Sequence, residues 1–286
     1  MKSDDSILSV IVPFKDINIL SNNLLKSFEL TEKRIEVIFS HDSVKSLDSA
    51  QIDSLTKRNS KFKYLHGDFG SPGLARNMGI EEASGDWIAF WDSDDFGFID
   101  IICNGVYEST EQIMIGNFCI CKEGKVHTPK RTFTSFESQI AINPGMWRFA
   151  FRSELARRVK FTDLKLGEDI IYLIDIGAFD LPRTTLDDVV YEYRISTIQS
   201  TQNMNLELNL VKFLDVLVDR MIRLHSKNKI SFGILWRQIF SLLKISNGRR
   251  FLYCLRLVFV LASSLNTLEK VKFAKSIMII FKRGSI

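Results

Sequence analysis

The clearest structural signal in this 286-residue chain lies in GDWIAFWDSDD, residues 85–95. Five apolar residues, 87–91, run directly into three carboxylates, Asp92, Asp94 and Asp95. A short apolar run that follows a glycine and contains aromatic residues predicts a strand buried on both faces. Because like charges repel, three acids delivered together by a buried strand indicate a site whose ligand carries positive charge.

The segments before this strand repeat the same organisation. Residues 8–12, 35–39 and 62–65 are short apolar runs, and segments with helical periodicity separate them. Nearly continuous apolar strands that alternate with helices predict an α/β fold, in which a parallel sheet carries helices on both faces. One helix is marked at its start by Ser71, which can cap it, and by Pro72 in its first turn.

Polar residues follow each predicted strand. In a parallel α/β sheet, ligands bind outside the carboxyl ends of the strands, so these residues mark the expected site. They are Lys15 and Asp16 after the first strand, His41 and Asp42 after the second, His66 and Asp68 after the third, and Asp92 to Asp95 after the fourth.

The acids of residues 92–95 suit a hard divalent cation. Magnesium or manganese accepts one or two carboxylates and completes its octahedral shell with water and phosphate oxygens. We therefore predict a site for Mn²⁺ or Mg²⁺ that holds a diphosphate-containing ligand. A solvated acidic loop that caps a helix is the alternative interpretation of the same residues.

Several segments of the chain resemble glycosyltransferase family 2, the large group of inverting nucleotide-sugar transferases with a GT-A-type fold. The specific part is the block that runs from GSPGLARNMGI through ASGDWIAFWDSDD. The other matching segments occur in the family's order across residues 7–200. They are SVIVPFKD at 9–16, before this block, and WRFAFR at 147–152, GED at 167–169 and YEYRIS at 191–196, after it.

The resemblance implies an organisation for most of the chain. It implies a Rossmann-like, mostly parallel GT-A-type sheet in a catalytic domain at residues 1–203. Within that domain, residues 1–100 would form the nucleotide-binding half and residues 101–203 the acceptor-binding half. Residues 204–286 lie beyond the resemblance, and their own composition and periodicity predict a C-terminal region of basic amphipathic helices.

The resemblance also implies which residues bind the donor. Asp94 would bind the metal ion, which neutralises charge on the departing nucleoside diphosphate, and Asp92 would contact the donor ribose or a metal-bound water. Pro13 and Asp16 would lie in the wall of the uracil pocket. Asp42 would contact the nucleotide base, and Arg76 would contact the nucleotide base or a phosphate. For Arg76, a salt bridge from a helix surface is the alternative.

Asp169 matches the family's catalytic base. In an inverting transfer, an acceptor hydroxyl attacks the anomeric carbon, and a carboxylate within hydrogen-bond reach can take its proton. The alternative is that Glu168 and Asp169 only stabilise a helix as first-turn acids. The sequence departs from the family at His41, which replaces the first of two acids, and we interpret His41 as a pocket wall.

Charge is unevenly distributed along the chain. Residues 205–286 contain 15 Lys and Arg against 4 Asp and Glu, a net charge of +11. The whole chain carries +4, so residues 1–204 carry −7 (4 − 11). An acidic body with a basic tail indicates that the tail has an anionic partner.

The tail predicts amphipathic helices rather than a membrane span. Its apolar run after Arg250 is interrupted by Arg256 and is shorter than the ~20 residues that a spanning helix needs. Basic residues among Phe, Trp, Leu and Ile suit helices in a membrane interface, and a homo-oligomer or packing on the catalytic domain is the alternative. Nucleic acid is not an expected partner, since these cations do not form a polar face.

The predicted function is a hexosyltransferase reaction that moves a sugar from a nucleotide donor, a UDP-sugar, to a saccharide or lipid-linked acceptor in surface-polysaccharide assembly. A sugar nucleotidyltransferase, which would have a glycine-rich loop after the first strand, and a non-catalytic membrane-associated protein are the alternatives. The predicted location is cytoplasmic, on the inner face of the cell membrane. Four cysteines without CxxC spacing indicate a reducing compartment, and the acidic N-terminus does not fit a secretory signal.

Overall fold

The structure is a computed structural model, and it describes residues 8–122, 124–127, 136–195, 205–224 and 226–281. The chain divides into two compact units. The predicted domain boundary near residue 203 lies outside the described residues and stays a prediction. The sheet unit comprises Met1–Pro129, Met146–Asp163 and Pro182–Thr197, and the helical unit comprises Lys130–Gly145, Leu164–Leu181 and Ile198–Ile286.

The strands of the described residues all belong to the sheet unit, whereas helices occur in both units. The strands are β1 (Leu8–Phe14), β2 (Ile35–Asp42), β3 (Phe62–Gly67), β4 (Trp87–Phe90), β5 (Phe96–Gly97), β6 (Ile113–Lys122), β7 (Lys125–His127), β8 (Phe149–Arg152) and β9 (Thr184–Ile195). The helices are α1 (Asn22–Leu30), α2 (Ser49–Thr56), α3 (Pro72–Glu82), α4 (Ile99–Glu108), α5 (Phe136–Ile142), α6 (Ser153–Ala156), α7 (Glu168–Asp175), α8 (Leu206–Arg223), α9 (Lys229–Ile245), α10 (Phe251–Ser263) and α11 (Thr267–Phe281). Of these, α5 and α7–α11 belong to the helical unit.

Across the described strands, the sheet has nine members in the order β3-β2-β1-β4-β8-β6-β9-β5, and β7 pairs with β6. Strands β1 to β4 pair in parallel, which confirms the predicted α/β fold. Strand β8 enters antiparallel between β4 and β6, a long-range pairing that no local pattern indicates. Because β1 lies between β2 and β4, the carboxyl ends of these three strands are neighbours.

Helices cover both faces of the parallel part of the sheet. Alternate side chains of a strand point to opposite faces. Val10 and Val12 of β1 belong to a core cluster that includes Phe28 of α1. The intervening Ile11 meets α3 instead, where a Cβ on Gly79 would lie 2.5 Å from its Cγ2 atom. Glycine at this position therefore allows α3 to lie close to β1.

A buried carboxylate fixes the turn that leads into β4. Glu36 on β2 accepts hydrogen bonds from the Ser9 hydroxyl and from the Gly85 N–H at 3.1 Å, and the Lys63 ammonium lies 2.6 Å away. Burial raises the pKa of Glu36, but the hydrogen bonds from Lys63, Ser9 and Ser84 outweigh it, so the pKa is lowered overall. The ionised Glu36 therefore anchors the end of β4 that lies opposite the acidic turn.

The helical unit supports the start of α7 on α8. Gly167 adopts a left-handed conformation with φ of 79°, which favours glycine, and a Cβ there would lie 2.5 Å from the Phe213 ring of α8. Farther along the two helices, Arg220 Nε lies 3.2 Å from Asp175 Oδ1. The first tail helix is thus part of the support of α7, which carries Asp169.

Helix α8 has the amphipathic pattern that the sequence predicts for the tail. Leu210, Phe213, Leu214, Leu217 and Met221 are all buried on α8, at the spacing that the sequence predicts. Among the helices that the structure describes, none is both long and apolar enough to span a membrane. The last residues of the predicted tail, 282–286, lie outside the described residues.

Candidate active site

A tight turn carries the acids at the end of β4. The Asp92 carbonyl accepts a hydrogen bond from the Asp95 N–H at 3.4 Å, and the Ser93 carbonyl accepts one from the Ser21 N–H at 2.9 Å. The Trp91 N–H continues the ladder between β4 and β1 at 3.0 Å. Backbone contacts therefore hold the turn at the carboxyl end of the central strands, where the sequence predicts the site.

Asp92 forms an ion pair with a buried arginine. Arg76 Nη2 of α3 donates to Asp92 Oδ1 at 2.8 Å, and the Arg76 side chain is almost completely buried. Its guanidinium also lies over the Phe161 ring, 5.7 Å from the centroid. Arg76 therefore makes a salt bridge, as the alternative interpretation expects, but a buried one that compensates Asp92 and fixes its carboxylate.

Asp94 differs from its neighbours because no other side chain among the described residues pairs with its carboxylate. Its side chain is exposed, and it makes no ion pair with the described part of the chain. The pKa of Asp94 is raised, first because the surrounding turn removes water from the carboxylate and second because Asp92 is negatively charged. A bound divalent cation would favour the charged form, so Asp94 fits the predicted metal ligand.

Asp95 is a buried carboxyl group that holds the turn. Its Oδ2 accepts a hydrogen bond from the Tyr191 hydroxyl at 2.8 Å, and its Oδ1 accepts one from the Arg194 N–H at 2.6 Å. The same Tyr191 hydroxyl accepts a hydrogen bond from the Asp92 N–H at 3.0 Å. Burial, followed by the negative charge of Asp92, raises the pKa of Asp95 to about 8. Tyr191 therefore joins both ends of the acidic turn to β9.

The three acids consequently have three different environments. Asp92 is paired with Arg76 and Asp95 with Tyr191, whereas Asp94, the predicted metal ligand, is exposed. In the residues that the structure describes, no group of three or more His, Cys, Asp or Glu side chains could hold a metal ion. An ion at Asp94 would therefore take most of its ligands from diphosphate oxygens and water, as Mg²⁺ commonly does.

Asp42 ends β2 and holds the loop that follows β3. Its Oδ1 accepts hydrogen bonds from the Phe69 and Gly70 N–H groups, each at 2.8 Å. Its Oδ2 is buried and accepts no hydrogen bond within the described ranges, while the Lys15 ammonium lies 3.5 Å away. A buried acceptor without a hydrogen-bond donor costs free energy, so this oxygen suits an N–H group of a nucleotide base.

His41 joins the ends of β1 and β2. Its Nδ1 lies 2.9 Å from the Tyr64 hydroxyl, its Nε2 lies 3.1 Å from the Lys15 carbonyl, and its ring stacks on Phe14 with centroids 4.8 Å apart. Because a carbonyl only accepts hydrogen bonds, we assign the proton to Nε2. Burial lowers the pKa of His41, which favours the neutral ring. These contacts fit a pocket wall, the role that the sequence predicts.

Pro13 and Asp16 lie at the end of β1 and in the loop after it. Pro13 is buried and pairs in register with Ser40 of β2. Asp16 is exposed, and its Oδ1 accepts hydrogen bonds from the backbone N–H and the side-chain amide of Asn18, at 2.9 and 2.8 Å. Asp16 therefore shapes the loop next to Lys15, and contact of either residue with uracil stays a prediction.

Aromatic rings stack beside the acidic turn. Trp147 lies parallel to Tyr191 with centroids 4.6 Å apart, and parallel to Tyr193 at 5.9 Å. The pKa of Tyr193 is raised by burial and then by the negative charges of Asp95, Asp92 and Asp94. Trp147 is far from the two tyrosines in the sequence, and only the fold brings the three rings together.

Asp95, Tyr191 and Tyr193 had no individual role in the sequence-based prediction. The sequence pattern that pointed to the tyrosines was the predicted strand at residues 189–194, in which alternate residues, such as Tyr191 and Tyr193, share one face. That period does not reveal what the face contacts, because β9 reaches the acidic turn through long-range pairing.

Asp169 lies in the helical unit, in the first turn of α7. Its side chain is half-buried, and its Oδ1 accepts a hydrogen bond from the Ile170 N–H at 2.8 Å. Its role as the catalytic base stays a prediction. The predicted donor-binding residues belong to the sheet unit, at or beside the carboxyl ends of β1, β2 and β4, and they are Pro13, Asp16, Asp42, Arg76, Asp92 and Asp94.

We expect Tyr191→Phe to lower the free energy of unfolding by about 1–3 kcal/mol, because Oδ2 of the buried Asp95 carboxyl and the Asp92 N–H both lose the hydroxyl that they bond. The change should also weaken Mn²⁺-dependent nucleotide binding, since the turn loses its support. Tyr193→Phe is the matched control, because this ring stacks on Trp147 too and its hydroxyl makes no hydrogen bond with the described residues. Urea unfolding and titration calorimetry measure both effects, and equal effects of the two substitutions would contradict the assigned role.

Solved structures define the class of the fold. S. aureus TarS 1-349 in complex with UDP-GlcNAc matches with a TM-score of 0.67 at 17% identity, over 96% of this chain and 81% of that one. A mannosyltransferase from Pyrobaculum calidifontis in complex with GDP-Man and Mn²⁺ matches with a TM-score of 0.54 at 14% identity, over 96% and 85% of the two chains. The fold is therefore that of a GT-A-type glycosyltransferase, and a divalent metal ion is present in one of its structural neighbours.

The sequence also identifies the family. Residues 9–154, just over half of the chain, match the family model described as Glycosyl transferase family 2. The chain belongs to glycosyltransferase family 2, which confirms the resemblance drawn from the sequence motifs.

Curated relatives are glycosyltransferases that match part of the chain. An uncharacterized glycosyltransferase of Rickettsia conorii is 33% identical over 100 residues, which are 35% of this chain and 16% of the relative. The GalNAc(5)-diNAcBac-PP-undecaprenol beta-1,3-glucosyltransferase of Campylobacter jejuni is 30% identical over 125 residues, which are 42% of this chain and 40% of the relative. The matched region thus spans less than half the length of either relative.

Proposed function

We propose that this chain is a metal-dependent, inverting glycosyltransferase that transfers a hexose from a UDP-sugar to a saccharide or lipid-linked acceptor. The observation that carries the proposal is the contrast within the acidic turn. Asp92 is neutralised by the buried Arg76, whereas Asp94 has no cationic partner among the described residues and its pKa is raised. Arg76 and Tyr191 hold the turn in place, and the Asp94 carboxylate is the exposed one. This arrangement suits a cation that binds together with the donor.

Mn²⁺ or Mg²⁺ is the proposed cofactor, with Asp94 as its protein ligand. When bound, the ion would stabilise the negative charge that develops on the departing nucleoside diphosphate. The chain itself contributes rigidity, because Arg76 fixes Asp92 and Tyr191 fixes both ends of the turn. Such preorganisation means that little reorganisation accompanies the reaction.

A uridine nucleotide is the proposed donor. The buried Oδ2 of Asp42 would accept a hydrogen bond from a base N–H, with Pro13, Asp16 and His41 in the surrounding wall. The Asp92 carboxylate would contact the ribose or a metal-bound water. The complex of TarS with UDP-GlcNAc supports the choice of uridine.

Asp169 is the proposed base that takes the proton of the acceptor hydroxyl. The undecaprenol-linked acceptor in the name of the Campylobacter relative supports a saccharide or lipid-linked acceptor here. Such acceptors belong to surface-polysaccharide assembly, and we propose that the chain acts at the inner face of the cell membrane.

The test uses the full chain with UDP-glucose, UDP-galactose, UDP-N-acetylglucosamine and GDP-mannose, each with Mn²⁺ and with EDTA. We expect Mn²⁺ to strengthen UDP binding by about tenfold or more in calorimetry. We also expect slow release of UDP from one of the UDP-sugars in the absence of an acceptor.

Two results would contradict this proposal. Equal affinity for UDP in Mn²⁺ and in EDTA would contradict a role for the metal ion in donor binding. Release of pyrophosphate from UTP and a sugar phosphate would establish a nucleotidyltransferase instead.

A further inference from the structure

Helix α10 exposes an apolar face. It buries Cys254, Leu257 and Leu261 within the helical unit. The exposed residues recur at helical spacing and therefore share the other face. They are Phe251, Leu252, Leu255, Phe259 and Val260.

Exposure of this apolar face to water is energetically unfavourable. Leu252 is 79% exposed and Phe259 is 74% exposed, and they lie two turns apart on the same side of α10. Monomeric soluble proteins rarely expose contiguous apolar patches, and a helix that is apolar all round is typically covered. The charges on and around α10 indicate what covers it.

The charged residues of the α10 segment itself are all positive. Between Arg249 and Leu268 the sequence contains three arginines and no Asp or Glu. Arg249 and Arg250 pair with Glu207, whereas Arg256 is exposed among the apolar residues and makes no ion pair within the part of the chain described. Helix α11 adds exposed lysines that likewise lack an ion pair with described residues, namely Lys270, Lys272 and Lys275.

We propose that the exposed face of α10 docks on an anionic lipid surface. Its apolar side chains would enter the boundary between headgroups and acyl chains, and Arg256 would meet lipid phosphates. A second copy of the chain is the less favourable occupant, because a two-fold contact would bring this face and its Arg256 against an identical face. The inference deepens the proposed membrane location, but it depends on α10 and not on the donor site.

The test is cosedimentation of the full chain with vesicles of phosphatidylcholine, with and without phosphatidylglycerol. We expect the wild-type chain to bind the anionic vesicles at least about tenfold more tightly than the neutral ones. The double substitution Leu252→Glu with Phe259→Glu should weaken binding to anionic vesicles by at least about tenfold. Arg256→Gln should weaken it by about fivefold on anionic vesicles alone.

Leu30→Glu is the matched control, because Leu30 is 80% exposed, as Leu252 is 79% exposed, but lies at the end of α1 in the sheet unit. Its vesicle binding should equal that of the wild-type chain. UDP binding and the thermal midpoint of each variant report folding, and both should be unchanged.

Several results would overturn the proposal. One is absence of binding to anionic vesicles by a wild-type chain that still binds UDP, which would leave the transferase proposal intact. Another is an equal loss of vesicle binding in Leu30→Glu. A third is a dimer in sedimentation equilibrium that Leu252→Glu converts to a monomer without a change in vesicle binding, which would assign the face to a second copy.

Discussion

Asp94→Asn is expected to lower kcat/KM for sugar transfer by at least about 10³-fold, because the chain loses the proposed metal ligand of the acidic turn. Asparagine keeps the size of the side chain, so the turn retains its shape. Calorimetry should show that Mn²⁺ no longer strengthens UDP binding to this variant. These two readouts separate a loss of the metal from a loss of the nucleotide site.

The same substitution should not destabilise the metal-free protein. The raised pKa of Asp94 means that its negative charge is unfavourable in the folded state, so removing the charge should leave the thermal midpoint in EDTA unchanged or higher. Asp86→Asn is the matched control, since Asp86 is an exposed acid just before β4, at the opposite end of the same strand. Loss of activity together with a lower midpoint would make Asp94 a structural residue, and full activity would exclude it as the metal ligand.

The first four strands could be predicted because each is specified by its own residues. Continuous apolar runs produced β1 to β4, and the polar residues that follow them lie at the common carboxyl edge. The start of α1 was harder to predict. Apolar residues at helical spacing begin at residue 19, whereas the helix begins at Asn22, after the Ser21 cap. The insertion of β8 between β4 and β6 depends on tertiary pairing, which periodicity does not encode.

Within the site, the sequence predicted which residues gather but not how their charges are distributed. Asp94 and Asp95 are adjacent and chemically identical, yet one is exposed and the other buried. The difference arises from Tyr191, which meets Asp95 only after β9 has joined the sheet. The assignment of Asp94 to the metal ion stays a prediction, and the pairing of its neighbours with Arg76 and Tyr191 is what the sequence could not indicate.

The tail shows a similar limit of pattern analysis. Helical spacing on α8 predicted its buried stripe, because one face is apolar and the other is polar. On α10 both faces are apolar, so the pattern could not decide which face packs. The contacts of Gly167 with Phe213 and of Asp175 with Arg220 also show that removal of the tail would take away support from α7. Point substitutions on α10 therefore test membrane docking better than truncation does.

Asp169→Asn is expected to lower kcat for sugar transfer by about 10²–10⁴-fold, because an amide cannot accept the proton of the acceptor hydroxyl. The amide oxygen can still accept the hydrogen bond from the Ile170 N–H that the carboxylate accepts at 2.8 Å, so the start of α7 should be retained. UDP binding in the presence of Mn²⁺ should equal that of the wild-type chain, because the donor residues belong to the sheet unit. Single-turnover assays with UDP-sugar and acceptor measure the first effect, and calorimetry measures the second.

Glu168→Gln is the control that separates a base from a helix-stabilising acid. Both residues lie in the first turn of α7, so both substitutions remove one negative charge from the positive end of the helix dipole. If the two acids only stabilise the helix, the variants should have similar thermal midpoints and similar rates. If Asp169 is the base, the midpoints should be similar but only Asp169→Asn should lose turnover. Normal turnover in Asp169→Asn would show that Asp169 is not the catalytic base. If Glu168→Gln were inactive in that case, Glu168 would be the base instead.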